Sequence, residues 1–216
     1  MKMSSIRLLI VFIVLIILGI ALLIGSIKDK VELGKPRGDL ETMKASDFYN
    51  GRFVEGEIYE LWDNYAVMEE SDTVFGISYN TKVTSRYYAM PLPATYDDYE
   101  PKFVSLSIPD SATQSIADKI VDETFDYLIN DKELPEWTSL KIQGKVTQLK
   151  GDGLKLFQEY ISDIGGDPTN LVAYTINVGN DGSNSTAALI ISIVLLVVGI
   201  GGTAFIVLRK ILSGGY

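Results

Sequence analysis

The sequence predicts an α+β protein: a curved antiparallel sheet with two packed helices, flanked by two transmembrane helices. A partly closed, OB-like barrel is one form that such a sheet takes. Three observations predict this class. Two uncharged apolar runs, residues 8–27 and 187–208, lie near the ends of the chain. Between them, several segments alternate apolar and polar residues as half-buried strands do, and two segments repeat apolar residues at helical spacing.

The first apolar run, Leu8–Ile27, is about as long as a helix must be to cross the hydrocarbon core of a bilayer. It exceeds the usual core of a signal peptide, and the residues after it lack an Ala-x-Ala-like cleavage pattern. We therefore expect an uncleaved signal anchor rather than a cleaved signal peptide. A buried helix of a soluble protein would keep a polar face over this length.

Basic residues flank the outer ends of both runs. Lys2 and Arg7 precede the first, and Arg209 and Lys210 follow the second. Basic residues close to a span favour the cytoplasmic side. Both termini are therefore expected in the cytoplasm and the central segment outside it. Basic residues between positions 28 and 37 oppose this orientation, but long translocated segments weigh little in the rule.

These boundaries predict seven regions. They are a cytoplasmic N-terminus (1–7), a first transmembrane helix (8–27), a juxtamembrane linker (28–44), an extracytoplasmic domain (45–178), a tether (179–186), a second transmembrane helix (187–208) and a cytoplasmic C-terminus (209–216).

The segment between the spans is strongly acidic. Residues 28–186 contain 15 basic and all 28 acidic residues, which gives a formal charge of −13. Such a surface repels nucleic acid and favours a basic protein or peptide as partner, although solubility alone also explains it.

Cysteine and histidine are both absent from the sequence. Disulfides, thiolate nucleophiles and histidine bases are therefore excluded. An extracytoplasmic domain without disulfides fits a bacterial envelope better than a eukaryotic secretory lumen. We predict no cofactor and no metal.

Alternation and turn residues predict the strands. The predicted strands are Phe53–Tyr59, Tyr65–Met68, Thr73–Tyr79, Lys82–Leu92, Lys102–Ile108, Ser139–Leu149 and Leu171–Val178, with the second returning beside the first as a hairpin. The acidic stretch Glu69–Asp72 is predicted as a turn. Gly56 and Gly144 occupy matching apolar-x-Gly-x-apolar patterns, which indicate either two coiled strands or a coincidence.

Two helices are predicted inside the central segment. In the first, Ser111 and Gln114 form a capping-box pattern. Its apolar stripe comprises Ala117, Ile120, Val121, Thr124, Phe125 and Leu128. The second helix, Gly151–Ile164, has the stripe Leu154, Phe157, Ile161 and Ile164, and Gly165-Gly166 ends it. Phe125 and Phe157 are both expected to be buried.

No catalytic motif is present. The sequence lacks a nucleophile elbow and a Ser-x-x-Lys pair, and Gly151-x-Gly153 is too short for a dinucleotide fingerprint. Asp97-Asp98-x-Glu100 lacks the spacing and glycine of an EF-hand, so a solvated acidic loop is favoured over a metal site.

The loop Pro91–Pro101 is the candidate recognition site, because loops on a rigid scaffold often carry binding residues. Tyrosine offers contact area at low entropic cost, and the acids suit a basic surface. The candidate residues are Tyr96, Asp97, Asp98, Tyr99 and Glu100. The alternative is a solvated turn whose tyrosines fold back onto the sheet.

Small residues within the spans form two candidate helix-packing pairs, Ala21/Gly25 and Gly199/Thr203. Small residues four positions apart allow membrane helices to approach closely. The alternative is the general abundance of glycine in membrane helices.

The stretches Gly51–Ile58, Trp62-Asp63 and Arg86–Pro91 resemble an uncharacterised family of bacterial two-pass membrane proteins. In that family, two helices flank one extracytoplasmic α+β domain. The resemblance concerns the layout of most of the chain. It implies the topology and carries no activity.

The function expected from these observations is a non-enzymatic binding or accessory module of the cell envelope, held in the lipid bilayer. One alternative is a subunit of a larger membrane complex that acts through its transmembrane helices. Another is a carboxylate-based hydrolase of envelope polymers, which requires two carboxylates about 5–10 Å apart in a cleft.

Overall fold

A computed structural model describes residues 3–74, 77–96, 101–130, 132 and 135–214. The chain divides into two compact units, Met1–Lys35 together with Gly182–Tyr216, and Pro36–Asp181. In chain order the elements are α1 (Met3–Leu33), β1 (Gly38–Asp39), β2 (Phe53–Ile58), β3 (Asn64–Val74), β4 (Ile77–Pro91), β5 (Phe103–Ile108), α2 (Ser111–Asn130), β6 (Leu140–Gln148), α3 (Gly151–Asp163), β7 (Leu171–Val178) and α4 (Ser185–Ser213).

The seven strands form one sheet in the order β1-β2-β6-β7-β5-β4-β3. The predicted α+β class is confirmed. The sheet is mixed rather than wholly antiparallel, because β1 pairs with β2 and β5 pairs with β7 in parallel. Parallel neighbours need a long crossover, and the segment from α2 to α3 supplies it between β5 and β7. Among the described strands β1 and β3 lie at opposite edges, so the sheet is open and does not close into a barrel.

The hairpin lies one strand later than predicted. β3 pairs with β4, whereas β2 pairs with β6, so the expected pairing of β2 with β3 is wrong. The acidic stretch predicted as a turn belongs to β3, where Glu70 pairs with Lys82. β3 is an edge strand, and edge strands tolerate charged residues that a central strand does not. The strand expected over Thr73–Tyr79 includes residues 75–76, which lie outside the described residues.

The two glycines of the repeated pattern lie in neighbouring strands. In the β2–β6 pair, Val54 faces Gly144 and Gly56 faces Ile142. A Cβ at Gly144 would stand 2.8 Å from the backbone oxygen of Asn177 in β7. The close approach of backbone to backbone therefore requires glycine at position 144.

α2 and α3 cover opposite faces of the sheet. Ala117 and Ile120 of α2 pack in the larger core, on the face that carries Tyr88. Phe157 and Ile161 of α3 pack in a second core with Ala89. Because Tyr88 and Ala89 are neighbours in β4, their side chains point to opposite faces.

The predicted cap and stripe of α2 need correction. The side chain of Asp110, rather than Ser111, accepts the backbone N–H of Thr113 at 2.9 Å, and Gln114 Nε2 turns back to the Ile108 carbonyl. The expected burial of Phe125 is wrong, since its side chain is 56% exposed. The expected burial of Phe157 in α3 is confirmed at 0% exposure.

The segment predicted as a juxtamembrane linker is partly structured. α1 continues to Leu33, so residues 28–33 are helical. Leu40 and Met43 are buried in the larger core. Their burial shows that the α+β unit begins before residue 45.

α1 and α4 form an antiparallel pair. A Cβ at Gly19 would meet Leu196, whereas a Cβ at Gly199 would meet Ile16 and the Phe12 carbonyl. Small buried residues repeat every seven positions, at Gly19 and Ser26 in α1 and at Ser185, Ser192 and Gly199 in α4. Such a heptad of small residues lets the two backbones approach closely.

Of the predicted packing residues, one residue of α4 lies at the contact with α1, whereas those of α1 lie away from it. Gly199 lies in the contact, and Thr203 donates its hydroxyl to the Gly199 carbonyl at 2.8 Å within α4. Ala21 is exposed, and a Cβ at Gly25 would have nothing within 4 Å. Packing through Ala21 and Gly25 would require another helix and stays a prediction.

Candidate functional site

A cleft of about 630 Å³ opens on the α2 face of the sheet. Apolar side chains from the segment after β1, from β2 and from the end of β4 form its walls, and α2 closes one side. The lining residues are Leu40, Glu41, Glu57, Ile58, Tyr59, Glu60, Met90, Pro91, Pro93, Tyr96, Thr124, Tyr127, Leu128 and Trp137. This volume suits a drug-sized molecule or several side chains of a peptide.

Trp137 is positioned by the segment that returns from α2 to β6. The backbone N–H and the hydroxyl of Thr138 both donate to the carboxylate of Glu123, each at 2.7 Å. Burial raises the pKa of Glu123, but the hydrogen bonds from Thr138, together with the hydrogen bond and charge of Lys119, outweigh it and the net pKa is lowered. With Thr138 held in this way, Trp137 meets Tyr127 edge-on, with ring centroids 5.2 Å apart.

Tyr96 is held by the base of the loop that the sequence identified. The Leu92 N–H donates to the Lys102 carbonyl at 2.8 Å, and the buried Thr95 hydroxyl accepts the Lys102 N–H at 3.0 Å. Tyr96 then donates its hydroxyl to Glu60 Oε2 at 2.9 Å. Burial, followed by the charge of Glu60, raises the pKa of Tyr96.

Of the predicted recognition residues, the structure places Tyr96 on the cleft. The other four, Asp97, Asp98, Tyr99 and Glu100, lie outside the described residues. The prediction for them is untested.

Glu60 is held in place by neutral donors. Trp62 Nε1 donates to Glu60 Oε1 at 2.7 Å, while the Tyr96 hydroxyl occupies Oε2. These bonds fix the carboxylate and leave its charge in the cleft.

Glu57 contributes a second carboxylate. Ser139 donates its hydroxyl to Glu57 Oε1 at 2.6 Å, and Lys141 Nζ lies 3.8 Å from Oε2. The Ser139 hydrogen bond is the main cause of the lowered pKa of Glu57. Burial and the charge of Glu57 together raise the pKa of Tyr59. Glu57 is therefore a stable anion and Tyr59 a stable neutral phenol at neutral pH.

The described lining of the cleft is acidic. It includes Glu41, Glu57 and Glu60 and no basic side chain. Lys141 reaches Glu57 from outside the lining, and its side chain is 82% exposed. Within the described part of the chain, no group of three acidic side chains could hold a metal ion. The arrangement can bind a cation that also has an apolar body.

Sequence reasoning missed most of this site. Glu60 and Trp137 come from segments 77 positions apart in sequence that show no shared motif. One sequence feature could have indicated the cleft: the apolar stripe of α2 continues to Leu128, beyond the part of the helix that packs against the core.

The family described as "Domain of unknown function (DUF8577)" has a model that matches residues 1–209. The chain belongs to the DUF8577 family. The DUF8577 match includes α1, most of α4 and the whole α+β unit with its cleft. No curated protein matches the chain.

Proposed function

We propose that this DUF8577 protein is a two-pass membrane protein of the bacterial cell envelope, which presents its α+β unit outside the cytoplasm as a non-enzymatic binding module. The observation that carries the binding role is the cleft. It combines apolar walls, four aromatic side chains and three carboxylates within one cavity. Concave, mostly apolar sites with a few placed polar groups are typical of ligand binding.

The two long helices support the membrane location. α1 contains the candidate span Ile6–Leu33 and α4 contains Ser185–Leu212, each of 28 residues. Only 6% of the apolar stretch in the first span and 11% of that in the second is buried. A core helix of a soluble protein would be mostly buried. A helix of 28 residues is about 42 Å long, which exceeds the roughly 30 Å hydrocarbon core.

Reporter fusions test the orientation. A reporter that is active only outside the cytoplasm should be inactive after Tyr216 and active when inserted within residues 179–185. The physical reason is the basic flank at each outer end. Equal activity at the two positions would refute the proposed topology.

The hydrolase alternative makes a different prediction. A glycosidase needs one carboxyl group that is protonated near neutral pH, whereas the pKa of Glu57 is lowered. Incubation of the full chain in micelles with cell-wall polymer should release no soluble fragments. Release that is lost in a Glu57→Gln variant would replace the binding proposal with the hydrolase.

A role within a larger membrane complex is favoured by one observation. Ala21 and Gly25 leave small-residue positions open on the side of α1 that α4 does not use. Cysteine cross-linking at position 25 in membranes should then yield a discrete adduct, because the native chain has no cysteine to interfere. The adduct should disappear in an Ala21→Leu background.

A further inference from the structure

We infer that the cleft binds a basic, extended peptide segment, with a lysine or arginine side chain placed between the Glu60 carboxylate and the aromatic side chains. This inference names the ligand class of the binding role proposed above and rests on it.

The charge argument begins with Glu60. Its two oxygens accept hydrogen bonds from Trp62 and Tyr96, which are neutral donors. Glu41, which also lines the cleft, has no ion pair within the described part of the chain. Charges next to apolar walls interact more strongly than charges in bulk water. A cation entering the cleft would therefore gain Coulomb energy that the protein's own described side chains do not supply.

The aromatic side chains favour a cation on an apolar stem. Tyr96, Tyr127 and Trp137 are 50%, 50% and 39% exposed, so their rings remain available to a ligand. Ring faces attract ammonium and guanidinium groups. The methylene stem of lysine or arginine packs on Leu128 and Ile58 while its charged end reaches a carboxylate.

The edge of the sheet favours a peptide. β1 pairs with β2 only at Val54 and Glu55, although β2 continues to Ile58. Leu40 lies beside Gly56 and donates its N–H to the Glu55 carbonyl at 3.0 Å. Among the described strands, none lies on the outer side of Glu57 and Ile58, where the cleft opens. Free strand edges bind extended peptides through backbone hydrogen bonds, with alternate side chains directed into pockets. A peptide lying along Glu57 and Ile58, past Leu40, would direct alternate side chains into the cleft.

The net charge of the segment between the spans favours one class of ligand over others. Its formal charge of −13 over residues 28–186 favours approach of a basic chain over a neutral or acidic one. A small organic cation would use the carboxylates but leave the strand edge and much of the cleft volume unused.

The test uses the full chain in lipid nanodiscs and fluorescence anisotropy of a labelled nonapeptide of alternating lysine and valine. We expect the affinity to fall as the salt concentration rises from 50 to 200 mM, because salt screens the attraction between the basic peptide and the carboxylates. A peptide with glutamate for lysine should not bind. The same lysine peptide with N-methylated backbone amides should bind at least about tenfold more weakly, because strand addition needs those donors.

Matched variants locate the site. Glu60→Gln should weaken the lysine peptide about tenfold or more, and Trp137→Ala should do the same. Glu159→Gln removes one charge from the exposed face of α3, where its partner is Lys155, and should change the affinity less than about twofold. Equal losses in Glu60→Gln and Glu159→Gln would overturn the inference, since attraction would then depend on net charge alone.

Other outcomes separate this inference from the wider proposal. If tetramethylammonium displaces the labelled peptide completely, the site binds a small cation and the peptide inference is wrong. If a norleucine–valine peptide binds as well as the lysine peptide, the cleft is an apolar site and the basic ligand is wrong. In both cases the binding-module proposal survives. Correct topology together with no binding by any of these probes would overturn the peptide inference alone.

Discussion

α2 and α3 lie on opposite faces of one sheet and differ in how far their apolar stripes are covered. On α3, Phe157 and Ile161 are 0% and 2% exposed. On α2, Ala117 and Ile120 are both 0% exposed, whereas Phe125 and Leu128 are 56% and 48% exposed. The stripes look alike in sequence. The difference shows that an apolar stripe predicts a surface that packs against something. The stripe alone does not show whether that partner is the protein's own core.

Aromatic stacking covers the middle of the α3 stripe, whereas Ile164 at its end is 36% exposed. Tyr65 of β3 stacks on Phe157 at 4.9 Å and on Tyr160 at 5.8 Å between ring centroids, and it bonds Ser105 at 2.6 Å through its hydroxyl. Over the second half of α2, the described residues provide the Tyr127–Trp137 contact, which borders the cleft. The half of α2 that extends past the core thus forms a wall of the candidate site.

The largest expected contrast is between the two phenylalanines. Phe157→Ala should lower the free energy of unfolding by about 3–5 kcal/mol, because it leaves a cavity under α3. Phe125→Ala should cost less than about 1 kcal/mol, because the ring is already largely in water. Denaturant unfolding of the full chain in micelles, followed by near-ultraviolet circular dichroism, measures both. Similar losses for the two variants would show that the second half of α2 is buried in solution.

The sequence predicted the elements better than their partners. Alternation in Phe53–Ile58 and Phe103–Ile108 is a local property, and both strands form close to the predicted bounds. The pairing of β2 with β6 joins residues about 90 positions apart, for example Val54 with Gly144. The repeated glycine pattern indicates two coiled strands but does not predict that they pair. Local periodicity carries no information on which strand is the neighbour.

The candidate site shows the same limit. Tyr96 was predicted because a proline-bounded loop is visible in sequence. Glu60 and Trp137 follow ordinary strand and loop residues, and only the folded sheet brings them to one cleft. The acceptor role of Glu60 depends on Trp62 and Tyr96 together, so no local motif could encode it.

The N-termini of the two helices give a smaller contrast. Asp110 caps α2 through Thr113, whereas Lys150 before α3 forms no capping hydrogen bond through its side chain. Asp110→Ala should therefore cost about 1 kcal/mol, and Lys150→Ala should stay within about 0.5 kcal/mol. The same unfolding experiment measures both. A larger loss for Lys150→Ala would mean that α3 is stabilised at its start by a contact other than a cap.

The smallest contrast is in the pH dependence of the α2 cap. Hydrogen bonds from Thr113, its side chain first and its backbone second, lower the pKa of Asp110 from 3.8. A carboxyl group with a lowered folded pKa stabilises the protein above its unfolded pKa, and this contribution is lost as the pH falls through the folded value. Asparagine caps about as well as aspartate and does not titrate. The melting temperature of Asp110→Asn should therefore be close to that of the parent at pH 7. Between pH 5 and pH 3 it should fall less than that of the parent. Asp122→Asn, on the exposed face of α2, removes the same charge without removing a cap and serves as the control. If the melting temperatures of both variants fall less than that of the parent, and by equal amounts, removal of a titrating carboxyl group in general, rather than the cap, accounts for the effect.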